Sequence, residues 1–260
     1  MLILFSLNGL ECADFFEFNE WTDYSFPHHC HYAIEAIFVT EGSLTVEKEN
    51  REYRLYPDDV LVIMPFEIHK FVSEEHSRIF VFQMSPNLIS NFDSVFKGKT
   101  FENPVCRFPR DDIGNIYRHL KNTSCSQIEL NYIFFATMVK FSDKSKLSPL
   151  PERNKLFEKV IMYTSLHFEE NICLKDVAAV CNVSYVYLSR MFTKKANIPF
   201  DDFLNSFRLQ KAISLLSNTA LPISQICFDC GFGSLRNFNR VFFKTMLCTP
   251  SEFRKKQNSL

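Results

Sequence analysis

The sequence has no long apolar run. No segment approaches the ~18 apolar residues that suggest a membrane-spanning helix, so we expect no transmembrane segment. The opening residues Met1 to Phe5 contain no basic residue and are too short for the apolar core of a secretory signal, so we expect no signal peptide. Nine cysteines without such a signal indicate reduced thiols in a cytoplasmic protein.

The sequence also has little net charge, because two oppositely charged halves cancel. Residues 1–149 carry 14 Lys and Arg against 21 Asp and Glu, whereas residues 150–260 carry 15 against 9. The formal net charge of −1 therefore hides an acidic half and a basic half. A basic half favours a polyanionic partner, because Lys and Arg displace the counterions condensed on nucleic-acid phosphates.

The CxxC spacing of Cys227 and Cys230 is not followed by a second Cys or His pair. Both residues fall within a helical pattern. The spacing therefore indicates buried helical cysteines, with zinc binding or redox chemistry as the alternative.

The acidic half begins with short β-rich segments separated by turns. An apolar, β-branched segment at 34–40 is broken at Glu41 and Gly42, and further strands are expected at 44–46, 53–56, 60–64, 68–72 and 79–84. No helix among them is long enough for a βαβ unit. The pattern predicts a barrel or sandwich over about 10–108.

Two helices are predicted after the barrel, within about 110–141. Ile113, Ile116 and Leu120 follow helical spacing, and the segment 128–141 is a second, more apolar helix. A helix this apolar needs a covering surface, which is either its own barrel or a second copy in a dimer. The Ser-, Lys- and Pro-containing segment 143–153 is predicted to be a linker between domains at 1–142 and 154–258.

The basic half contains an internal repeat. Residues 174–183 match 223–232 at an offset of 49, and residues 184–194 match 234–244 at an offset of 50. The offset changes because the second copy has one extra residue, in effect Gly233, between the matched segments. The repeat indicates two copies of one structural unit.

Each copy has the pattern of a helix-turn-helix. A short helix ends at a residue that tolerates left-handed backbone, Asn182 or Gly231, and a serine, Ser184 or Ser234, then caps a second helix. A single copy would fit a plain helical bundle with solvated charges. Two copies in a basic domain, joined by a long apolar helix over about 201–216, instead predict tandem DNA-binding units about 34 Å apart.

The second helix of each copy has one apolar face and one outward face. Arg and Asn on the outward face suit base edges in the major groove, and the flanking lysines suit phosphates. The candidate DNA-binding residues are Tyr185, Val186, Ser189, Arg190, Lys194, Leu235, Arg236, Asn239, Arg240 and Lys244.

Six stretches of the basic half carry a resemblance to a known family. They are Leu174-Lys-Asp-Val-Ala-Ala, Tyr187-Leu-Ser-Arg-Met-Phe192, Arg208-Leu-Gln-Lys-Ala212, Ile226-Cys-Phe-Asp-Cys-Gly-Phe232, Phe238-Asn-Arg-Val-Phe-Phe-Lys244 and Thr249-Pro-Ser-Glu-Phe253. Together they make residues 154–257 resemble the DNA-binding domain of AraC/XylS transcription regulators. Val186 and Leu235 differ from the polar residues often found at their positions, so the resemblance does not transfer a base preference.

The acidic half contains two further motifs. His29-x-His31-x3-Glu35 resembles the first motif of cupin barrels, and Pro65-Phe-Glu-Ile-His69 resembles the second, although Asp58 replaces an expected glycine. The resemblance implies a cupin-like sensory domain.

Two uses of the cupin-like motifs stay open. In metal-binding cupins two His, a Glu and a later His converge on one ion, and such ligands suit Fe, Mn or Ni. The usual alternative in the AraC/XylS family is a ligand pocket without metal, in which His29, His31, Glu35 and His69 would form the polar wall. Trp21 either stacks on a sugar in that pocket or belongs to the core.

These observations predict an α+β protein of two domains: a cupin or jelly-roll β-barrel with two helices, then an all-α domain with two helix-turn-helix units joined by a long helix. We expect a ligand-responsive transcription regulator, not an enzyme, without a cofactor. Its expected partners are promoter DNA, a small-molecule effector such as a sugar, a second copy and RNA polymerase. The alternatives are control by a partner protein, control by oxidation of Cys30, and a cupin metalloenzyme.

Overall fold

The structure, a computed structural model, describes residues 4–6, 15–89, 91–121, 126–196 and 198–257. The chain divides into two compact units, at residues 2–155 and 156–260. The barrel start predicted near residue 10 and the domain end predicted at 258 lie outside the described residues.

The first unit is built on two five-stranded sheets. Their orders are β1-β3-β8-β5-β6 and β11-β7-β4-β9-β2, and every pair is antiparallel except β1 with β3. The strands, which include β10 and β12 of a separate two-stranded sheet, are β1 (Leu4–Ser6), β2 (Phe16–Thr22), β3 (Phe26–His31), β4 (Ile34–Gly42), β5 (Leu44–Lys48), β6 (Arg51–Leu55), β7 (Asp59–Ile63), β8 (His69–Val72), β9 (Ser77–Met84), β10 (Lys99–Phe101), β11 (Val105–Arg107) and β12 (Leu147–Pro149).

Strand β4 explains why the chain contains a continuous apolar segment at 36–39. Ile37 and Val39 pack in the cluster of apolar side chains that the two sheets share. Ala36 and Phe38, on the opposite face, pack in a second cluster together with the helices that follow the barrel. Because both faces of β4 are covered, its residues do not alternate between apolar and polar.

Helix α1 (Phe92–Val95) precedes β10 and β11, and the helices α2 (Arg110–Leu120) and α3 (Gln127–Lys144) follow them. Ile113 and Ile116 of α2, and Phe134 and Phe141 of α3, are buried against the outer face of the second sheet. The two predicted helices are therefore present, and both pack on their own barrel.

The segment 143–153, which its composition predicts to be a linker, contains regular structure. α3 continues to Lys144, and β12 pairs with β10 in register Thr100 to Ser148. The N–H of Leu150, a buried residue, donates to the carbonyl of Gly98 at 2.9 Å. Both strands of a two-stranded sheet are edge strands, and an edge strand tolerates Pro149 because proline lacks only the backbone N–H. A segment that contains Ser and Pro therefore still forms a short strand here.

The second unit is all-helical. Its helices are α4 (Glu152–His167), α5 (Leu174–Val180), α6 (Tyr185–Ala196), α7 (Phe200–Asn218), α8 (Ile223–Asp229), α9 (Leu235–Met246) and α10 (Pro250–Gln257). α7 is the connecting helix predicted over 201–216, and eight of its side chains are buried. Within the part of the chain that the structure describes, none of these or the earlier helices is both long and apolar enough to cross a membrane.

Candidate nucleic-acid interface and barrel pocket

The turns of the two helix-turn-helix units close in the same way. Asn182 and Gly231 have φ of +55° and +82°. The N–H of the next residue in each unit donates to the carbonyl oxygen five residues earlier. These bonds run from Val183 to Ala178 and from Phe232 to Cys227, both at 3.0 Å. These are the bonds with which a left-handed residue ends a helix. The inserted Gly233 comes after them, between the apolar residue of the turn and the next cap.

The second turn lies directly against the segment that follows α4. A Cβ atom placed on Gly231 would come within 2.6 Å of the carbonyl oxygen of Glu169. The buried Arg208 of α7 donates to the carbonyl oxygens of Phe168 at 2.7 Å and Glu170 at 2.9 Å. Glycine is required at 231 for this close approach as well as for its φ.

The two recognition helices, α6 and α9, begin at serine caps. The Oγ atoms of Ser184 and Ser234 accept from the backbone N–H groups of Tyr187 and Asn237, at 3.2 and 3.3 Å. Each helix then buries one apolar face, formed by Leu188, Met191 and Phe192 in α6 and by Phe238, Val241 and Phe242 in α9.

The opposite faces of α6 and α9 carry the predicted DNA-binding residues. All of these residues are exposed except Ser189, which is half-buried. The exposed set is Tyr185, Val186, Arg190, Lys194, Leu235, Arg236, Asn239, Arg240 and Lys244. Lys244 lies 3.4 Å from Asp202, and Arg240 donates to Asn237 at 2.8 Å. The second helix of each unit thus presents one exposed basic surface.

The first unit brings together the four residues of the cupin-like motifs. His29 and His31 lie on β3, Glu35 on β4 and His69 on β8, and β3 pairs with β8 in register His29 to His69. One ligand atom from each residue lies within 4.8 Å of the others, and all four residues are buried. We call this set the histidine cluster.

One carboxylate oxygen is the centre of the histidine cluster. Glu35 Oε2 lies 2.8 Å from His31 Nε2 and 3.2 Å from His69 Nε2. Burial alone would raise the pKa of the Glu35 carboxyl, but its contacts with these two rings hold the pKa well below the ordinary value. Burial, together with the neighbouring rings of His69 and His31, lowers the pKa of His29 well below its ordinary value, which keeps that ring neutral.

A pocket of about 200 Å³ opens onto the histidine cluster. Its wall includes His29, His31 and Glu35 but not His69. Trp21 lines the pocket, is 38% exposed and stacks on Tyr24 with ring centroids 4.5 Å apart, so it is not a core residue. The sequence did not reveal the other wall residues, which are Glu17, Asn19, Tyr24, Phe26, Phe71, Val81 and Gln83.

A larger groove of about 890 Å³ lies beside α2. Two arginines in its wall are already paired with acids, Arg78 with Glu41 at 2.9 Å and Arg110 with Asp58 at 3.2 Å. These four charged groups therefore satisfy one another.

The thiols singled out in the sequence are buried. Cys30 is 1% exposed, and burial raises the pKa of Cys230 to about 12. Cys227 and Cys230 belong to the apolar core around α7, α8 and α9. Buried thiols of raised pKa are poor nucleophiles and metal ligands, which agrees with a packing role for the CxxC pair.

Two families of known proteins match the chain. Residues 15–119 match the family described as AraC-like ligand binding domain, and residues 177–256 match the one described as helix-turn-helix domain.

Curated relatives match different shares of the chain. Regulatory protein PocR of Salmonella typhimurium is 28% identical over 52% of this chain and 45% of PocR. The transcriptional activator RhaR of Mannheimia succiniciproducens is 22% identical over 89% of this chain and 88% of RhaR. The chain spans less than half the length of the first curated relatives that it matches.

Among solved structures, ToxT of Vibrio cholerae with a bound unsaturated fatty acid aligns with a TM-score of 0.57 and 18% identity. The alignment covers 92% of this chain and 94% of ToxT, and it shows a shared fold.

Proposed function

The chain belongs to the AraC family of transcriptional regulators, and on that basis we propose that it binds promoter DNA in a sequence-specific manner and controls transcription. Such a protein acts in the cytoplasm, with RNA polymerase as a further partner. It works by binding and needs no catalytic group.

The observation that carries this proposal is the pair of basic outward faces on α6 and α9. Arg190 on α6 and Arg236 and Arg240 on α9 are exposed, while the opposite faces of both helices are buried. Arginine on such a face is suited to bidentate bonds with guanine in the major groove. The lysines Lys194 and Lys244 flank these faces and suit phosphates.

The test is DNA binding by the full chain after selection from random duplexes. We expect sequence-specific binding that weakens as salt rises, because each phosphate contact releases counterions. Arg190→Ala and Arg240→Ala should each weaken specific binding about 10-fold or more, since one bidentate base contact is worth about 1–3 kcal/mol. The control is Arg51→Ala, which removes an exposed arginine of the first unit. Folded variants at 190 and 240 that bind as well as wild type would refute these roles.

We further propose that a small effector occupies the pocket beside the histidine cluster and shifts the balance between states of different DNA affinity. A volume of about 200 Å³ holds six or seven waters at about 30 Å³ each, which suits a small polar molecule such as a sugar. Trp21 supplies a ring face, and Asn19 and Gln83 supply hydrogen-bonding groups. A panel of monosaccharides that leaves both thermal stability and DNA affinity unchanged would remove the sugar from the proposal.

A second copy of the chain is the proposed partner of α3. Four apolar side chains on its outer side, at spacings of four, three and four, remain exposed: Ile128, Tyr132, Phe135 and Val139. This is the spacing of the seam between paired helices. Because an identical helix offers the same seam, a homodimer buries both.

A further inference from the structure

The three buried imidazoles of the histidine cluster make the same kind of contact with the backbone. Each ring has Nδ1 within hydrogen-bond distance of a backbone carbonyl oxygen: His29 with Pro27 at 2.9 Å, His31 with Ala33 at 2.9 Å and His69 with Glu67 at 2.8 Å. A carbonyl oxygen only accepts, so Nδ1 carries the proton in all three rings. A neutral ring then has a lone pair at Nε2.

These lone pairs converge on one carboxylate oxygen. His31 Nε2 and His69 Nε2 lie 2.8 and 3.2 Å from Glu35 Oε2. With neutral rings, both contacts would place one lone pair against another. One cation between the two nitrogens and the oxygen would satisfy all three atoms at once.

The separations of the donor atoms fit a metal ion. Metal–ligand bonds of about 2.1 Å at right angles place adjacent donor atoms about 3 Å apart, the range found between Glu35 and the two rings. Opposite donors would be about 4.2 Å apart, close to the 4.8 Å that contains all four ligand atoms. We propose that His29, His31, Glu35 and His69 bind one divalent transition-metal ion, with the open coordination position facing the small pocket.

The surroundings hold these residues as a metal site requires. A ligand histidine usually donates its other N–H to a carbonyl or carboxylate, which fixes the tautomer and ring orientation, and all three rings do so here. Three imidazoles and one carboxylate suit Fe(II), Co(II), Ni(II) or Zn(II) better than Ca(II) or Mg(II). His29, His31 and Glu35 line the pocket, so an oxygen donor of a small molecule there would reach the ion.

The experiment uses Co(II) and the full-length chain. We expect one Co(II) per chain by calorimetry, with weak visible bands and no thiolate charge-transfer band. Proton NMR of the Co(II) form should show three strongly shifted, exchangeable signals from the Nδ1–H groups. Bound metal should also raise the melting temperature, because it binds only the folded chain.

Two near-isosteric variants and one matched control decide the result. Glu35→Gln and His31→Gln should each weaken Co(II) binding at least 10-fold, whereas His76→Gln, which removes an exposed histidine paired with Asp23, should bind as wild type. Absence of stoichiometric binding by wild type would overturn the proposal, as would binding that both cluster variants retain. If neither variant folds, the three shifted signals in wild type decide alone. DNA binding is independent of this outcome, so failure here leaves the proposed function standing.

Discussion

Lys48 Nζ lies 2.9 Å from Glu67 Oε2, and the two side chains are only 6% and 5% exposed. Glu67 also accepts from the N–H of Met64 at 2.8 Å and from the hydroxyl of Thr100 at 2.6 Å. Its backbone carbonyl accepts from Nδ1 of His69. This ion pair therefore holds the turn that carries the last residue of the histidine cluster.

Breaking this ion pair should destabilise the first unit. Glu67→Gln removes the anion and leaves the Lys48 ammonium buried without a counter-charge, which costs about 3 kcal/mol. Unfolding by urea, followed by tyrosine and tryptophan fluorescence, measures the loss.

The matched control for Glu67→Gln is Glu41→Gln, which breaks the exposed pair with Arg78 and should cost less than about 1 kcal/mol. In the double variant Lys48→Met, Glu67→Gln much of the stability should return. Equal losses for the buried and the exposed pair would contradict this account.

Gly231 and Gly233 should respond differently to the same substitution. Gly231→Ala adds a Cβ at φ +82° against the carbonyl of Glu169, whereas a Cβ at Gly233 meets nothing within 4 Å. We expect Gly231→Ala to lower the stability of the helical unit by more than about 1 kcal/mol and Gly233→Ala to leave it nearly unchanged. Thermal melts followed by circular dichroism compare the two, and a similar loss in both would be against the close approach at 231.

The local features of the helix-turn-helix units could be predicted from the sequence because they depend on nearby residues. The left-handed positions Asn182 and Gly231 and the caps Ser184 and Ser234 act within one turn of their own helices. Arg208 shows the limit of such reasoning. It stands in a family motif, but its bonds to the carbonyls of residues 168 and 170 span 40 and 38 residues of chain, which no local pattern reveals.

The wall of the small pocket was missed for a different reason. Glu17, Asn19 and Trp21 alternate along β2 with Phe16 and Phe18. An alternating strand is normally read with its polar face toward solvent. Here helices cover the outer face of the sheet, so the phenylalanines pack outward against them and the polar residues face the pocket. The alternation in the sequence shows which residues of β2 share a face. Which face points into the barrel depends on the helices that cover the sheet, and the alternation does not reveal it.

Charge placed on the exposed seam of α3 should prevent self-association. Val139→Lys, at a position 59% exposed, puts like charges together where two copies of the helix meet. We expect dimers of wild type and monomers of the variant in sedimentation velocity, with unchanged circular dichroism. Leu166→Lys is the control, since Leu166 is 72% exposed on α4 and outside the seam. A monomeric wild type, or a variant that still dimerises, would exclude this interface.

The two recognition helices should contribute unequally to base specificity. The outward face of α9 presents Arg236, Asn239 and Arg240, whereas that of α6 presents Arg190, the half-buried Ser189 and the apolar Val186. Bidentate arginine and asparagine contacts each discriminate by about 1–3 kcal/mol, and an aliphatic contact discriminates less. Both helices keep a flanking lysine, Lys194 or Lys244, so both should still contribute affinity.

A scan of single base substitutions across the selected DNA site measures this inequality. We expect losses of about 10-fold or more at several positions in the half bound by α9, and at fewer positions in the half bound by α6. Arg240→Ala should reduce the losses from base substitutions only in the half of the site bound by α9. Arg190→Ala should reduce them only in the half bound by α6, and the two results together assign each half to its helix. Lys194→Ala should weaken binding to all sequences by the same factor, because a phosphate contact carries no base information. Profiles of equal depth in both halves would show that the arginine count on each face does not govern specificity.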